Sequence, residues 1–351
     1  MRNLRSASIT GSVTLLASLI LIPWGVSEEH AGLGLHGASR APEPAVDDLQ
    51  SRVRTLVASK NVEADGFGSL SVKCPQGTVA LGGGVNVSLV HFMKIFSTGP
   101  TVNGTRLMST ADGTRGAPDG WFGGIYNGDI FSRPFKVAAI CAPLSGVTTV
   151  VASNSVNPGA FWSFSVACPA GKIAVGGGVD VEDHLFMLVT SSSPTVGGSN
   201  LVALADGNHG APNGWYGAVR NDSAATKTFK VGVVCQPLKG ITTVISSMVV
   251  QGGTSISETE HAQCPKGSIA VGGGIDAEDL FRLLSSETAP VFGTTYTSLM
   301  QMDNGVNPAP TGWQASAING DESNRMLKVG AICAQWPLEF LKMDDASPPE
   351  D

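Results

Sequence analysis

The sequence predicts an all-β protein of three tandem antiparallel β-sandwich or small-barrel repeats, each closed by one disulfide. Three observations lead there. A unit of about 95 residues occurs three times, its apolar residues alternate with polar ones at period two, and its two cysteines return at near-constant spacing.

Taken in order, residues 1–27 read as a secretory signal. Arg2 and Arg5 precede an apolar stretch from Val13 to Trp24, and Gly25 and Ser27 suit a cleavage site. The apolar core is shorter than the roughly 20 residues of a membrane span, so cleavage is the simpler expectation and a retained anchor the alternative. Cleavage would take the net charge from −7 to −9, a surface unsuited to nucleic acid or anionic membranes. No membrane insertion is expected after cleavage. Residues 28–53, rich in Gly, Ala, Pro and Glu without periodicity, read as a linker. Its Gly32-Leu33-Gly34-Leu35-His36-Gly37 matches the dinucleotide pattern G-x-G-x-x-G but follows no strand and opens no βαβ unit, so it carries no such meaning.

Repeats are expected over 54–144, 148–238 and 242–338. Cys74-Pro75-Gln76-Gly77-Thr78-Val79-Ala80-Leu81-Gly82-Gly83-Gly84-Val85 returns as 168–179 and 264–275. Ala117-Pro118-Asp119-Gly120-Trp121 returns at 211–215 and 309–313, and each copy closes on a Lys-Val pair four to five residues before a cysteine. Cys74 and Cys141, Cys168 and Cys235, and Cys264 and Cys333 lie 67, 67 and 69 positions apart. Pairing within each repeat would close a loop worth on the order of 4 kcal/mol in the chain-entropy model, and six cysteines in an exported chain suit an oxidising compartment. Phe135, Val137, Ala139 and Cys141 alternate with Lys136 and Ala138, as a half-buried strand requires. Behind Trp121 the same-face positions read Gly123, Ile125 and Asn127, which suggests the indole lies over the small neighbour. Each Gly triplet costs backbone entropy and so predicts a sharp bend, a bulge or tight backbone contact. Residues 339–351 form an acidic tail.

The combination C-P-x-G-x-x-A-x-G-G-G, then G-W, then a closing F-K-V…C, over residues 54 to 338, resembles a repeat of largely uncharacterised secreted or surface proteins of bacteria. The resemblance implies export and a β-rich unit, and it carries over no functional residues.

Catalytic signatures are absent: there is no G-x-S-x-G, H-E-x-x-H, Walker loop or EF-hand spacing. His91, His184, His209 and His261 occupy four different places in the repeats. Asp180, Glu182 and Asp183 recur as Asp276, Glu278 and Asp279, a density of hard oxygen ligands that would suit Ca²⁺, with a solvated loop as the simpler reading. Asp112, Asp206 and Asp303 precede the tryptophans and read as turn residues or ligand contacts. Trp121, Trp215 and Trp313 read as core residues or as sugar-stacking platforms. Lys136, Lys230 and Lys328 are expected to face solvent. The third copy alone carries Glu258, Glu260 and His261, a possible acid–base pair without an identifiable nucleophile. The expected function is an exported, non-enzymatic adhesion, envelope or matrix component whose partner is a cell-surface, matrix or polysaccharide component. The alternatives are a multivalent, calcium-assisted carbohydrate binder and a hydrolase with its site in one repeat.

Overall fold

Period-two alternation sends one face of each strand into a core, and the structure, a computed structural model, shows where those faces meet. It describes residues 52–252, 257–278 and 283–335. The signal segment, nearly all of the linker, Asp279 and the acidic tail lie outside the described residues.

Repeat 1 holds β1 (Arg54–Val62), β2 (Gly66–Lys73), β3 (Val79–Val87), β4 (Met93–Thr101), β5 (Gly113–Arg115), β6 (Gly120–Asn127) and β7 (Arg133–Ala142). Repeat 2 holds β8 (Thr148–Val156), β9 (Phe161–Ala167), β10 (Ile173–Val181), β11 (Met187–Thr195), β12 (Gly207–His209), β13 (Gly214–Asn221) and β14 (Lys227–Gln236). Repeat 3 holds β15 (Ile241–Val250), β16 (Ser257–Gln263), β17 (Ser268–Ala277), β18 (Leu283–Phe292), β19 (Thr297–Ser298), β20 (Gly305–Asn307), β21 (Gly312–Asn319) and β22 (Arg325–Gln335). A short 3-10 turn follows β4, β11 and β19 at Leu107–Ser109, Leu201–Ala203 and Leu299–Gln301.

Among the described residues all pairings are antiparallel, in three sheets: β16-β21-β18-β3-β7-β1-β20 (sheet I, with β19 beside β18), β2-β6-β4-β10-β14-β8-β5 (sheet II) and β12-β15-β22-β17-β11-β13-β9 (sheet III). The all-β, disulfide-closed repeats are therefore as expected. Within repeat 1, β1-β7-β3 faces β2-β6-β4, and Gly68 meets Val62 and Phe135 across the gap. The disulfides Cys74–Cys141, Cys168–Cys235 and Cys264–Cys333 tie these facing half-sheets together, with Cα separations of 5.7, 5.6 and 5.5 Å.

The repeats are not free-standing modules, however. Each sheet crosses a repeat boundary: Thr98 on β4 pairs with Val179 on β10, Ser192 on β11 with Ile275 on β17, and Thr288 on β18 with Val85 on β3. The third crossing returns the last repeat to the first, so the three close into a ring with pseudo-threefold symmetry.

The Gly triplets make that closure possible. A Cβ at Gly82 would lie 2.8 Å from the Gly272 Cα, one at Gly272 3.2 Å from Gly176, and one at Gly176 3.0 Å from Gly82. No side chain fits at such separations, so three backbones meet where the repeats converge. A Cβ on the middle glycine, Gly83, Gly177 or Gly273, would overlap Trp121, Trp215 or Trp313. The indole therefore lies over the triplet rather than over Gly123, whose own Cβ position is filled by Val85 and Val137. The third glycine of each triplet abuts the backbone of the strand across the boundary, at Thr288, Thr98 or Ser192. The expected bulge is also present, between Ala80 and Gly82, Ala174 and Gly176, and Ala270 and Gly272.

Candidate functional site

The residues singled out in the sequence fall mostly into the boundaries between repeats. Trp121, Trp215 and Trp313 are at most 1% exposed. Their indole N–H groups donate to Thr98 Oγ1 (3.1 Å), Ser192 Oγ (3.0 Å) and Thr288 Oγ1 (2.9 Å), all on boundary strands. A ring enclosed on both faces cannot stack on a sugar, so these three are core residues.

The acidic cluster separates into two kinds of group. Asp180 and Asp276 sit on the Gly-triplet strands and are buried, contrary to the solvated-loop reading. Asp180 reaches back into repeat 1: it accepts from Ser97 Oγ, from Arg106 Nε at 2.8 Å and from the Met108 N–H at 2.9 Å. Asp276 keeps the matching backbone bond, from the Val202 N–H at 2.9 Å, but Asn200 stands where repeat 1 has Arg106. Burial without that cation pushes its carboxyl up to about 6. Glu182 and Glu278 instead point outward and accept from the backbone N–H of Thr228 (2.7 Å) and Met326 (2.9 Å). Asp183 pairs with Lys227 at 3.0 Å. The described carboxylates of the set read for Ca²⁺ thus have separate partners, and among the described residues no group of three or more His, Cys, Asp or Glu could hold a metal.

The third boundary places its carboxylate on the other strand. Ser97, Ser191 and Glu287 each follow the bulged residue of their strand, so Glu287 occupies the serine position. Opposite it, Asn86 replaces Asp180 and Asp276. Glu287 accepts from Ser316 Oγ at 3.3 Å, and burial pushes its carboxyl up to about 8.

Lys136, Lys230 and Lys328 do not simply solubilise a strand. Each reaches the 3-10 segment of the preceding repeat: Lys136 donates to the carbonyls of Met300 (3.1 Å) and Met302, Lys230 to Thr110, and Lys328 to Leu204. Lys230 also pairs with Asp112 at 3.2 Å, and Lys328 with Asp206 at 3.5 Å. Asp112 accepts from the Ser153 N–H and Oγ (3.0 and 2.6 Å), and Asp206 from Ser247 Oγ (2.7 Å). In repeat 3 the equivalent residue is Asn304, which donates to Ser59 Oγ at 2.8 Å. Asp303 is therefore one position out of register with the other two. The strand pairings show this, because Gly113, Gly207 and Gly305 align. Asp112, Asp206 and Asn304 thus clasp one repeat to the next, whereas the Asp303 carbonyl accepts locally from Asn307 Nδ2 at 2.9 Å.

The four histidines of the described residues form no shared centre. His209 bonds the Ala205 carbonyl at 2.8 Å. Glu260 accepts from Ser246 Oγ at 2.6 Å, whereas its neighbour His261 lies on the opposite strand face against the Tyr296 ring, with centroids 4.7 Å apart. They do not make an acid–base pair.

One constellation was missed in the sequence. On the outer face of sheet II the rings of Phe67 and Tyr126 lie 4.9 Å apart, Phe67 and Phe96 6.1 Å apart, and Phe96 stacks on His184 at 4.1 Å. Arg106 sits 4.8 Å over Phe122, with a nitrogen 3.0 Å from His184 Nε2. Burial, then the nearby Arg106 charge, lowers the His184 pKa and keeps its ring neutral. Beside this row lies an open groove of about 440 Å³ lined by Phe67, Glu182, Asp183, His184, Leu185 and Lys227. Its signal in the sequence was the outward positions of repeat 1, where Phe67, Phe122 and Tyr126 stand among serines and glycines. Comparison with models of known protein families and with curated proteins gives no match.

Proposed function

We propose that the protein is an exported, non-enzymatic interaction component of a cell surface, envelope or matrix, working as a rigid ring that displays loops. One observation carries this reading. The polar residues that recur in the repeats, Asp112, Asp206, Asp180, Asp276 and the three lysines, are turned toward a neighbouring repeat, where they hold the ring closed. The three disulfides fit an extracellular location, and among the described residues no helix is long and apolar enough to cross a membrane.

The strand register puts several loops at one end of the ring. Met93 lies opposite Asn127 and Arg133 opposite Val62, so the β3–β4 and β6–β7 connections share an end. The antiparallel β4–β10 pairing brings the β10–β11 connection to the same end. There Ile130, Phe131 and Leu185 are 80%, 61% and 63% exposed. Apolar tips on a rigid frame are suited to contact rather than catalysis.

The test is capture of cell-envelope fractions by the mature chain. The reading expects specific retention that falls when Ile130 and Phe131 are both changed to Ser. No retention, or turnover of an ester, peptide or glycoside substrate by the purified chain, would refute it.

A further inference from the structure

We propose that the groove between Phe67 and the β10–β11 loop binds one neutral pyranose ring of a polysaccharide, with a single site per chain. The duplication isolates the feature. Positions shared by the repeats are explained by core packing and ring closure, so an exposed cluster confined to one boundary is not required by the frame. The pair Phe67 and Tyr126 on β2 and β6 becomes Phe161 and Arg220 on β9 and β13, and Phe96 becomes Thr190 and Ser286. The aromatic row crossing from repeat 1 to repeat 2 therefore exists on sheet II alone.

The lining selects the ligand class. Phe67 is 41% exposed, and its ring, held by Tyr126 and Phe96, offers an apolar flat surface of the kind that packs on the C–H face of a sugar. Around it stand hydrogen-bonding groups of both kinds: the carboxylates of Glu182 and Asp183, the Lys227 ammonium and the neutral His184. Two carboxylates against one cation reject phosphates and other anions. Asp183 is already engaged by the Leu185 N–H and Lys227, and Glu182 accepts the Thr228 N–H on one oxygen, which leaves its other oxygen for a sugar hydroxyl. The groove is open and polar-rimmed, which does not suit a lipid chain. Its volume admits a monosaccharide unit of a longer chain.

The inference rests on the reading of the protein as an interaction component and names one ligand class for it. The test is calorimetric titration of the intact mature chain with chitotriose, maltotriose and cellotriose. At least one should bind with a Kd on the order of 1 mM or tighter and a stoichiometry of one. Phe67→Ala should weaken it at least about tenfold, Phe67→Trp should retain it, and Val249→Ala, on the exposed side of β15 and outside the groove, should leave it unchanged. Circular dichroism confirms that each variant is folded. No binding of any of the three up to about 10 mM, three equivalent sites, or affinity indifferent to Phe67→Ala would each overturn the proposal. Envelope capture that persists while every sugar fails would overturn this inference alone and leave the broader reading standing.

Discussion

The boundary between repeats 1 and 2 and the boundary between repeats 3 and 1 solve the same problem with opposite arrangements. Each joins two strands around one buried carboxylate. In the first the carboxylate is Asp180, on the Gly-triplet strand, answered by Ser97 and by Arg106 reaching in from the 3-10 turn. In the other it is Glu287, on the opposing strand, facing the neutral Asn86 and bonded to a hydroxyl. The difference teaches that the frame tolerates one acid on either strand, provided the facing position is neutral. Two facing carboxylates in a dry site would repel and could not both ionise. It also shows what a cation adds: Asp180 has one, Glu287 is bonded only to a hydroxyl, and Glu287 is pushed up to about 8.

The glycine contact is common to all three boundaries, and the largest effect should come from breaking it. Gly82→Ala drives a methyl into the Val271 carbonyl and the Gly272 Cα. Because the clash is with backbone, no rotamer relieves it, and a loss of more than about 3 kcal/mol is expected. Chemical denaturation with the disulfides intact should show an early, broadened transition. The same change at Gly116, which has open space around it, should be nearly silent.

Glu287 gives the next largest effect, through pH. Its carboxyl binds a proton in the fold up to about pH 8, whereas an ordinary glutamate in the unfolded chain releases it near 4.5. Between those values the native state holds more protons, so stability falls as pH rises and levels off above pH 8. At about 1.4 kcal/mol per unit the full loss is on the order of 5 kcal/mol. Asp276, raised to about 6, adds a loss of the same sign over a lower window. Glu287→Gln should flatten the upper part of the profile and exceed the parent in stability at pH 9, while matching it at pH 4. An unchanged slope between pH 6 and 8 would mean that the Glu287 site is wet.

Removing Arg106 tests the other boundary. Arg106→Ala strands Asp180, 2% exposed, without its cation, at an expected cost of about 3 kcal/mol. The change also removes the cover over Phe122. Repeating the change in an Asp180→Asn background separates the two contributions, since there the charge is absent and only the lost cover remains.

Much of this frame was legible beforehand, for identifiable reasons. Alternation at Phe135, Val137 and Ala139 and the recurrence of Cys, Gly and Trp report local geometry, which a linear sequence carries directly. Ring closure was not legible, because the contacts that make it, such as Lys230 with Thr110 or Asn304 with Ser59, join residues far apart and of types that also suit solvent. The bulges hid the rest. Each shifts the face of every later residue by one, so Glu287 could not be aligned with Ser97 and Ser191 from period two alone. Asp303 was misplaced by a similar one-residue slip, which only the Gly305–Val57 pairing reveals. The aromatic row at the groove carries no repeat signal, because Phe96, Tyr126 and His184 each occur in one copy alone.

The boundary between repeats 2 and 3 lies between the two extremes and allows the smallest, most selective test. It has the acid of the first, Asp276, but lacks its cation, because Asn200 occupies the Arg106 position. The backbone there is already suitable, with φ −74° and ψ 168° at Asn200 against −69° and 161° at Arg106. Tyr216 stands where Phe122 supports the guanidinium. Asn200→Arg should therefore reach Asp276, lower its pKa, and raise stability at pH 7 by about 1 kcal/mol after the cost of burying the new charge. In an Asp276→Asn background the same arginine should add nothing, and that coupling, measured as a double-mutant cycle, distinguishes pairing from better packing. A gain that survives without Asp276 would show that the cation is not what separates one boundary from the next.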